Sequence, residues 1–394
     1  MKLVISKSEI GTAHHLSYDG KNWSWVNSFS SDDILWGFDG LKQDLRESAA
    51  AGNLEVINFH KTPWGIAQSQ VQASGNPRWQ HLMPFNVWKK YVSDLVNQLW
   101  LYFKDSDNSY YVTTFLRNRE LSRSISKAGI REDILRKKIE SSKDAQAAVL
   151  KKFLPDTSGF APVSRYSFSK TVTGRMTVES GPNILTLKRE NRKILKSNYS
   201  NGKIVEIDLQ SAEPRVALSL FGKTVSGDVY ADVLSSLNMT VTRDAIKVAT
   251  LAALYGASHH TLKSHLPDAV SSTMVLDRVR EYFGVRHIEK MLKDQHDSAG
   301  YITNTHGRRI FSEFPSLNHL IQSSAVDVSF DVFESLISKI RKSDIQATPL
   351  YFIHDAIILD VSSQDMRKLK EVCKNGFRSP VTKTIFPVKI KEIN

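Results

Sequence analysis

The chain has 394 residues, 41% hydrophobic and 24% charged, with 53 Lys and Arg against 41 Asp and Glu for a net charge of +12. That composition excludes wholesale disorder and leaves room for two or more subdomains, because single cores stop growing near roughly 250–300 residues. No run reaches the roughly 18 apolar residues of a membrane span, and the start MKLVISKSEIG lacks a signal-peptide core, so a cytosolic chain with no membrane partner is expected. Cys373 is the sole cysteine, which rules out an internal disulfide or a thiolate metal cluster built from this chain alone. The excess of positive charge favours a polyanionic partner.

All seven tryptophans fall within the first 100 residues. Residues 1–105 therefore read as a separate packing unit, a mixed α/β module with Trp in its core and no catalytic pattern. Helical spacing of apolar residues over Phe85 to Lys104 and again over Arg131 to Phe153, with Lys and Arg on the opposite face, predicts two basic helices that could grip a duplex or simply face solvent. From Tyr166 onward strands and helices alternate. Lys203 to Leu209 (KIVEIDL) and Leu350 to Val361 (LYFIHDAIILDV) predict strands, the second broken by a tight turn at His354 and Asp355. Thr242 to Tyr255 predicts a helix capped by Thr242 and ended by Gly256, and Pro315 to Ile340 predicts another with Pro315 in its first turn.

Two aspartates end or interrupt apolar strands, where a carboxylate is costly unless it binds something. Asp208 follows IVEI, and Asp355 sits between FIH and AIIL. Carboxylates from neighbouring strands can hold two Mg²⁺ ions, the arrangement phosphoryl transfer needs. An aspartate so placed also serves as a helix cap or an arginine partner. Along the helix from Thr242, Arg243, Lys247, Leu251 and Tyr255 recur every fourth residue and share one face. Such a face could meet a triphosphate with its cations and a base or sugar with its tyrosine, or be a solvated basic surface.

The joint pattern separates these alternatives. TGRM at Thr173 to Met176, PN at Pro182 and Asn183, DLQSAEPR at Asp208 to Arg215 and RDAIKVATLAALYG at Arg243 to Gly256 occur in that order. They are followed by GRR at Gly307 to Arg309, NHLIQSSAVD at Asn318 to Asp327 and FIHDA at Phe352 to Ala356. Together they resemble the family A DNA polymerases over roughly Tyr166 to Val361. The resemblance implies an α/β (α+β) right hand: an antiparallel palm sheet and helical fingers within residues 166–394, fingers at about 223–300, and a thumb-like helical region at 106–165.

It also implies roles. Asp208 and Asp355 would be metal ligands with the Leu209 carbonyl, for two Mg²⁺ ions that Mn²⁺ can replace. Arg243 and Lys247 would bind the triphosphate, with Lys247 as the acid for departing pyrophosphate. Glu213 and Tyr255 would exclude a ribonucleotide 2′-hydroxyl, while Leu251 faces the nascent pair. Arg175, Asn318, Gln322 and His354 would contact primer and template, and Lys188 and Arg189, in a basic run with Arg192, Lys193 and Lys196, would meet backbone phosphate. The implied partners are primer-template DNA and dNTPs.

Three positions depart from the family pattern. Leu251 stands where Phe or Tyr is usual, Ala356 replaces the acidic residue that commonly follows the second aspartate, and Tyr230, after Asp228, replaces a histidine. No carboxylate set for a proofreading exonuclease is evident, and His259, His260 and His265 lack partners at zinc-ligand spacing. A single-subunit RNA polymerase and a polymerase-like nucleic-acid-binding protein with weakened catalysis remain as alternatives. Glu213 speaks against the first, and the retained aspartates and fingers cations against the second.

Overall fold

The computed structural model describes residues 2–30, 33–38, 62–71 and 77–393. The chain forms two compact units, Met1–Arg117 with Gly307–Arg309, and Asn118–His306 with Ile310–Asn394.

In the first unit a four-stranded sheet has the order β3-β2-β1-β4, with β1 Leu3–Ile5, β2 His15–Tyr18, β3 Trp23–Val26 and β4 Ile34–Trp36. Helix α1 (Phe85–Lys104) turns Trp88, Val92, Leu95, Val96 and Leu99 inward, the 3.6-residue period that made it legible. The expected tryptophan core holds for Trp36, Trp64 and Trp88, which are buried, whereas Trp23 and Trp25 on edge strand β3 are exposed. The Trp88 indole donates to the Ile10 carbonyl at 2.7 Å, so burial leaves no polar cost. Gly11 adopts φ +64, and a Cβ there would fall 2.2 Å from the Trp64 ring, which explains why a glycine ends the short helix Lys7–Ile10.

The second unit is built on an antiparallel sheet of order β6-β7-β5-β8: β5 Lys203–Leu209, β6 Ala347–Ile353, β7 Ala356–Val361 and β8 Val388–Glu392. The predicted bounds of β5 hold, and His354 and Asp355 form the predicted two-residue turn between β6 and β7. One face, with Ile204, Ile353, Ala356 and Ile358, packs on Leu135, Leu150, Phe153 and Ile184. Against the other, Phe330 of α9 (Leu317–Lys342) stacks on Phe352 at 5.2 Å and Phe333 meets the same ring tilted at 5.5 Å.

Two expectations need correction. The stretch Arg131–Phe153 is two helices, α2 (Glu132–Ser141) and α3 (Asp144–Lys151), because Ser142 and Lys143 adopt extended backbone at the junction. Helix α9 starts after Pro315: the Ser316 side chain caps it in a capping box with His319, so the proline precedes the helix. Helices α5 (Val229–Leu237), α6 (Arg243–Tyr255), α7 (Ser272–Tyr282) and α8 (Val285–Ala299) share one core through Val233, Ile246, Ala249, Val279 and Ile288.

Helix α4 (Ala212–Leu220) follows β5 and buries Arg215, only 2% exposed. Its guanidinium donates to the carbonyls of Gln210, Val225 and Gly227, tying the loop after α4 to the end of β5. Arg215→Met removes three hydrogen bonds made by a buried guanidinium and is expected to lower unfolding stability by about 1–3 kcal/mol, read by urea denaturation.

Candidate active site

The pairing of β5 with β7 sets Ala356 opposite Asp208, and the Leu209 N–H donates to the Asp355 carbonyl at 2.9 Å. The turn residue and the strand-end aspartate are thereby brought to one end of the sheet. Burial, then the charges of Asp208 and Glu213, push the Asp355 carboxyl up to about 6. His354 holds the left-handed backbone, φ 43, and its buried Nδ1 has no hydrogen-bond partner among the described residues. Burial followed by the nearby Arg175 charge lowers its pKa, so the ring favours the neutral form. A strained residue with an unpaired buried nitrogen beside a carboxylate is the kind of feature functional sites retain.

These groups open into a cavity of about 510 Å³. Asp208, Leu209, Asp355 and His354 form its floor, and α6 supplies Arg243, Lys247 and Leu251. Glu213 of α4, Gln322 of α9 and Arg175 complete the part of the lining that the sequence anticipated. The cavity thus pairs carboxylates with cations, the charge distribution that a metal-bound polyphosphate complements.

Within it the side chains hold one another. The Tyr255 hydroxyl donates to Glu213, although Tyr255 is not itself among the lining residues. Arg175 stands 3.8 Å from the other Glu213 oxygen. Burial raises the Glu213 pKa while Arg175 opposes the rise. Glu213 therefore pairs with Tyr255 and Arg175, where Arg215 or Arg243 would be the simpler partners by sequence. Arg243 Nε donates to Asp228 at 2.6 Å and its guanidinium lies 5.2 Å over the Tyr230 ring, so the tyrosine at the histidine position serves as a platform. Asp228 also caps α5, and its hydrogen bond from Arg243 holds its carboxyl below the usual range. Lys247 is exposed on the same helix.

Other anticipated residues lie outside the cavity lining. Asn318 is on α9 with a buried, unpartnered Oδ1. Lys188 is exposed. Arg189 and Arg192 are both engaged by the buried Glu206, Arg189 at 2.6 Å, so this part of the basic run braces β5. His259 and His260 lie with tilted rings 4.1 Å apart, and among the described residues no trio of His, Cys, Asp or Glu is placed to hold an ion. Two residues that sequence reasoning missed come from β8: Lys389, opposite Asp208 and in the lining, and Lys391, whose Nζ donates to Asp208 at 3.0 Å. The alternating lysines of VKIKE were the available signal, but their partner lies 183 residues away.

The donor set suits a hard cation. Two carboxylates and a backbone carbonyl leave coordination positions for phosphate oxygens and water, which Mg²⁺ prefers to an all-protein cage. Burial first, and then the charges of Asp208 and Glu213, raise the Asp355 carboxyl, and a divalent ion beside it would favour the ionised form.

The sequence profile described as DNA polymerase family A matches residues 137–391. DNA polymerase I of Lactococcus lactis subsp. lactis (strain IL1403) is 23% identical over 286 residues, covering 63% of this chain and 32% of that protein. DNA polymerase I of Bacillus caldotenax is 23% identical over 282 residues, covering 61% and 31%. The chain thus matches about a third of the length of these relatives. The POL domain of Pol1 from M. smegmatis, solved in complex with DNA primer-template and dNTP, superposes with a TM-score of 0.56 at 15% identity, covering 89% of this chain and 81% of that one, a likeness of fold.

Because the folded-state pKa of Asp355 lies above the ordinary value of about 3.9, its ionised form destabilises the fold above about pH 6, and the penalty fades as pH falls from about 6 to 4. In EDTA at pH 7.5, Asp355→Asn is expected to raise stability by about 2 kcal/mol, with the gain vanishing near pH 4, as followed by thermal unfolding across pH.

Proposed function

Since the chain belongs to DNA polymerase family A, we propose that it adds deoxynucleotides to a primer 3′-hydroxyl under the direction of a DNA template, with Asp208 and Asp355 as the carboxylates of a two-Mg²⁺ centre. The observation that carries this reading is the single cavity in which Asp208 and Asp355, from adjacent strands, share a lining with Arg243 and Lys247. On this reading the sheet β6-β7-β5-β8 is the palm, residues 223–300 are the fingers, and the helical region 106–165 is thumb-like. The Trp-rich module 1–105 has no assigned role.

Asp208, Asp355 and the Leu209 carbonyl would hold the Mg²⁺ ions, or Mn²⁺ in their place, whose chemistry there would be activation of the hydroxyl and neutralisation of the leaving pyrophosphate. The side chains do the rest. Lys247, exposed and cationic, reaches the triphosphate and gives a proton to the departing pyrophosphate. Arg243 binds the same triphosphate by exchanging Asp228 for phosphate oxygens, which suit its planar fork equally well. Tyr255 holds Glu213 against the sugar position, so that a 2′-hydroxyl meets an occupied site. Leu251 offers an apolar surface to the nascent pair.

Arg175, Gln322 and His354 contact the primer and template ends near the carboxylates. Asn318 Oδ1, buried and unpaired, gains a partner there. Minor-groove acceptors common to all correct pairs let the Arg175 guanidinium, a donor, test geometry without reading sequence. Lys188 and Arg189 meet backbone phosphate, Arg189 after partial release from Glu206, and the net +12 charge supports a phosphate-rich partner. The reaction includes no 3′–5′ proofreading by this stretch of chain.

Two observations favour a weakened enzyme instead: Ala356 stands where an acidic neighbour is usual, and Lys391 occupies an oxygen of Asp208. Primer extension separates the readings. The wild type is expected to extend with Mg²⁺ and dNTPs, Asp208→Asn and Asp355→Asn to lose about 10²-fold or more, and Lys247→Ala about 10²-fold in kcat. Equal, negligible extension by the wild type and the Asp variants would leave DNA binding alone. Glu213→Ala is expected to raise rNTP incorporation relative to dNTP by about tenfold or more, and a wild type that prefers rNTPs would make the enzyme an RNA polymerase.

A further inference from the structure

Strand β8 runs antiparallel to β5 with Lys389 opposite Asp208 and Lys391 opposite Glu206. Side chains two apart on a strand share a face, so Glu206, Asp208, Lys389 and Lys391 form a square of charge on one side of the sheet. Within it Lys391 Nζ sits 3.0 Å from Asp208 Oδ2 and 3.8 Å from Glu206 Oε1. The three groups are far from equally wet: the side chains of Lys391 and Asp208 are 29% and 31% exposed, and that of Glu206 only 5%.

We propose that Lys391 is a built-in competitor of divalent metal at Asp208, a positioning residue that sets the metal affinity of the centre. The inference rests on the reading of Asp208 as a metal ligand. An ammonium and a divalent ion cannot both occupy the same carboxylate oxygen, and each weakens the other's hold by an equal factor. The displaced ammonium has somewhere to go. Glu206 is close enough to accept it, and Arg189, more than half exposed, can give up its share of that carboxylate to solvent. Lys391 thus has two acceptors, and metal entry shifts it from one to the other without stranding a charge.

The arrangement has two consequences. In the metal-free protein Lys391 offsets one of the two negative charges at the sheet end and holds the Asp208 carboxylate on the β8 side. In the presence of metal it raises the concentration needed to fill the centre, so occupancy depends on the extra ligands that a nucleotide triphosphate brings. A lone ion binds weakly, and an ion arriving with its nucleotide binds well.

The test uses the 394-residue chain without DNA or nucleotide, titrated with Mn²⁺ and read by the electron paramagnetic resonance signal of the free ion. Lys391→Met and Lys391→Gln, each checked by circular dichroism, are expected to bind Mn²⁺ about fivefold more tightly than the wild type, whereas Lys391→Arg stays close to it. In the Asp208→Asn background, which itself binds Mn²⁺ more weakly, Lys391→Met should bring no further gain. Affinities of Lys391→Met and Lys391→Gln equal to the wild type, with Asp208→Asn still weakened, would overturn the role of Lys391 alone. Unchanged Mn²⁺ affinity in Asp208→Asn would overturn the carboxylate centre and this inference with it.

Discussion

The pairing of Lys203–Leu209 with Ala356–Val361 fixes the geometry of the candidate active site. Six consecutive antiparallel partners run from Ala356 opposite Asp208 to Val361 opposite Lys203. A slip of one residue would turn Asp208 to the opposite face of the sheet. The two-residue turn that precedes Ala356 then has one place to go, beside the end of the central strand, and the bond from Leu209 N–H to the Asp355 carbonyl pins it there. Two carboxylates that repel one another are held together by apolar layers on both sides of the sheet, with Ile204 and Ile358 on one face and Ile207 and Ile357 on the other all fully buried.

Around this anionic pair the cations are oriented by acidic partners of their own. Arg243 is set by Asp228, Arg189 and Arg192 by Glu206, and Lys391 by Asp208. Arg215 is spent wholly on backbone carbonyls. Much of the positive charge near the site is therefore directional rather than a diffuse field, while Lys247 and Lys389 remain as exposed ammonium groups at the cavity. On the proposed reading, a polyphosphate arriving there would exchange one set of anionic partners for another, which costs less than bringing cations together from solvent.

The departures from the family pattern acquire physical form in this setting. Ala356 is only 4% exposed, so a carboxylate in its place would have to displace packed neighbours. Tyr230 puts an aromatic face under Arg243, where a ring cannot neutralise the guanidinium but can hold it. Leu251 lines the cavity as an aliphatic side chain, giving apolar contact without the stacking geometry of a ring.

The sequence by itself determined the local elements and the families of residues they carry. The apolar run of KIVEIDL, and Thr242 and Gly256 at the two ends of one helix, are encoded within a few residues, so strand β5 and the capped helix α6 were readable. The ordered motifs carried the family and the two aspartates. Where two short helices replaced one, at Ser142 and Lys143, the apolar period alone could not show that the backbone becomes extended between them. Only the tertiary structure decided the partners of the charges: Tyr255 for Glu213, Glu206 for Arg189 and Arg192, and Lys391 for Asp208. The reason is range. Helix and strand signals act between residues a few positions apart, whereas an ion pair forms wherever strand register and packing bring opposite charges together, and composition leaves that choice open.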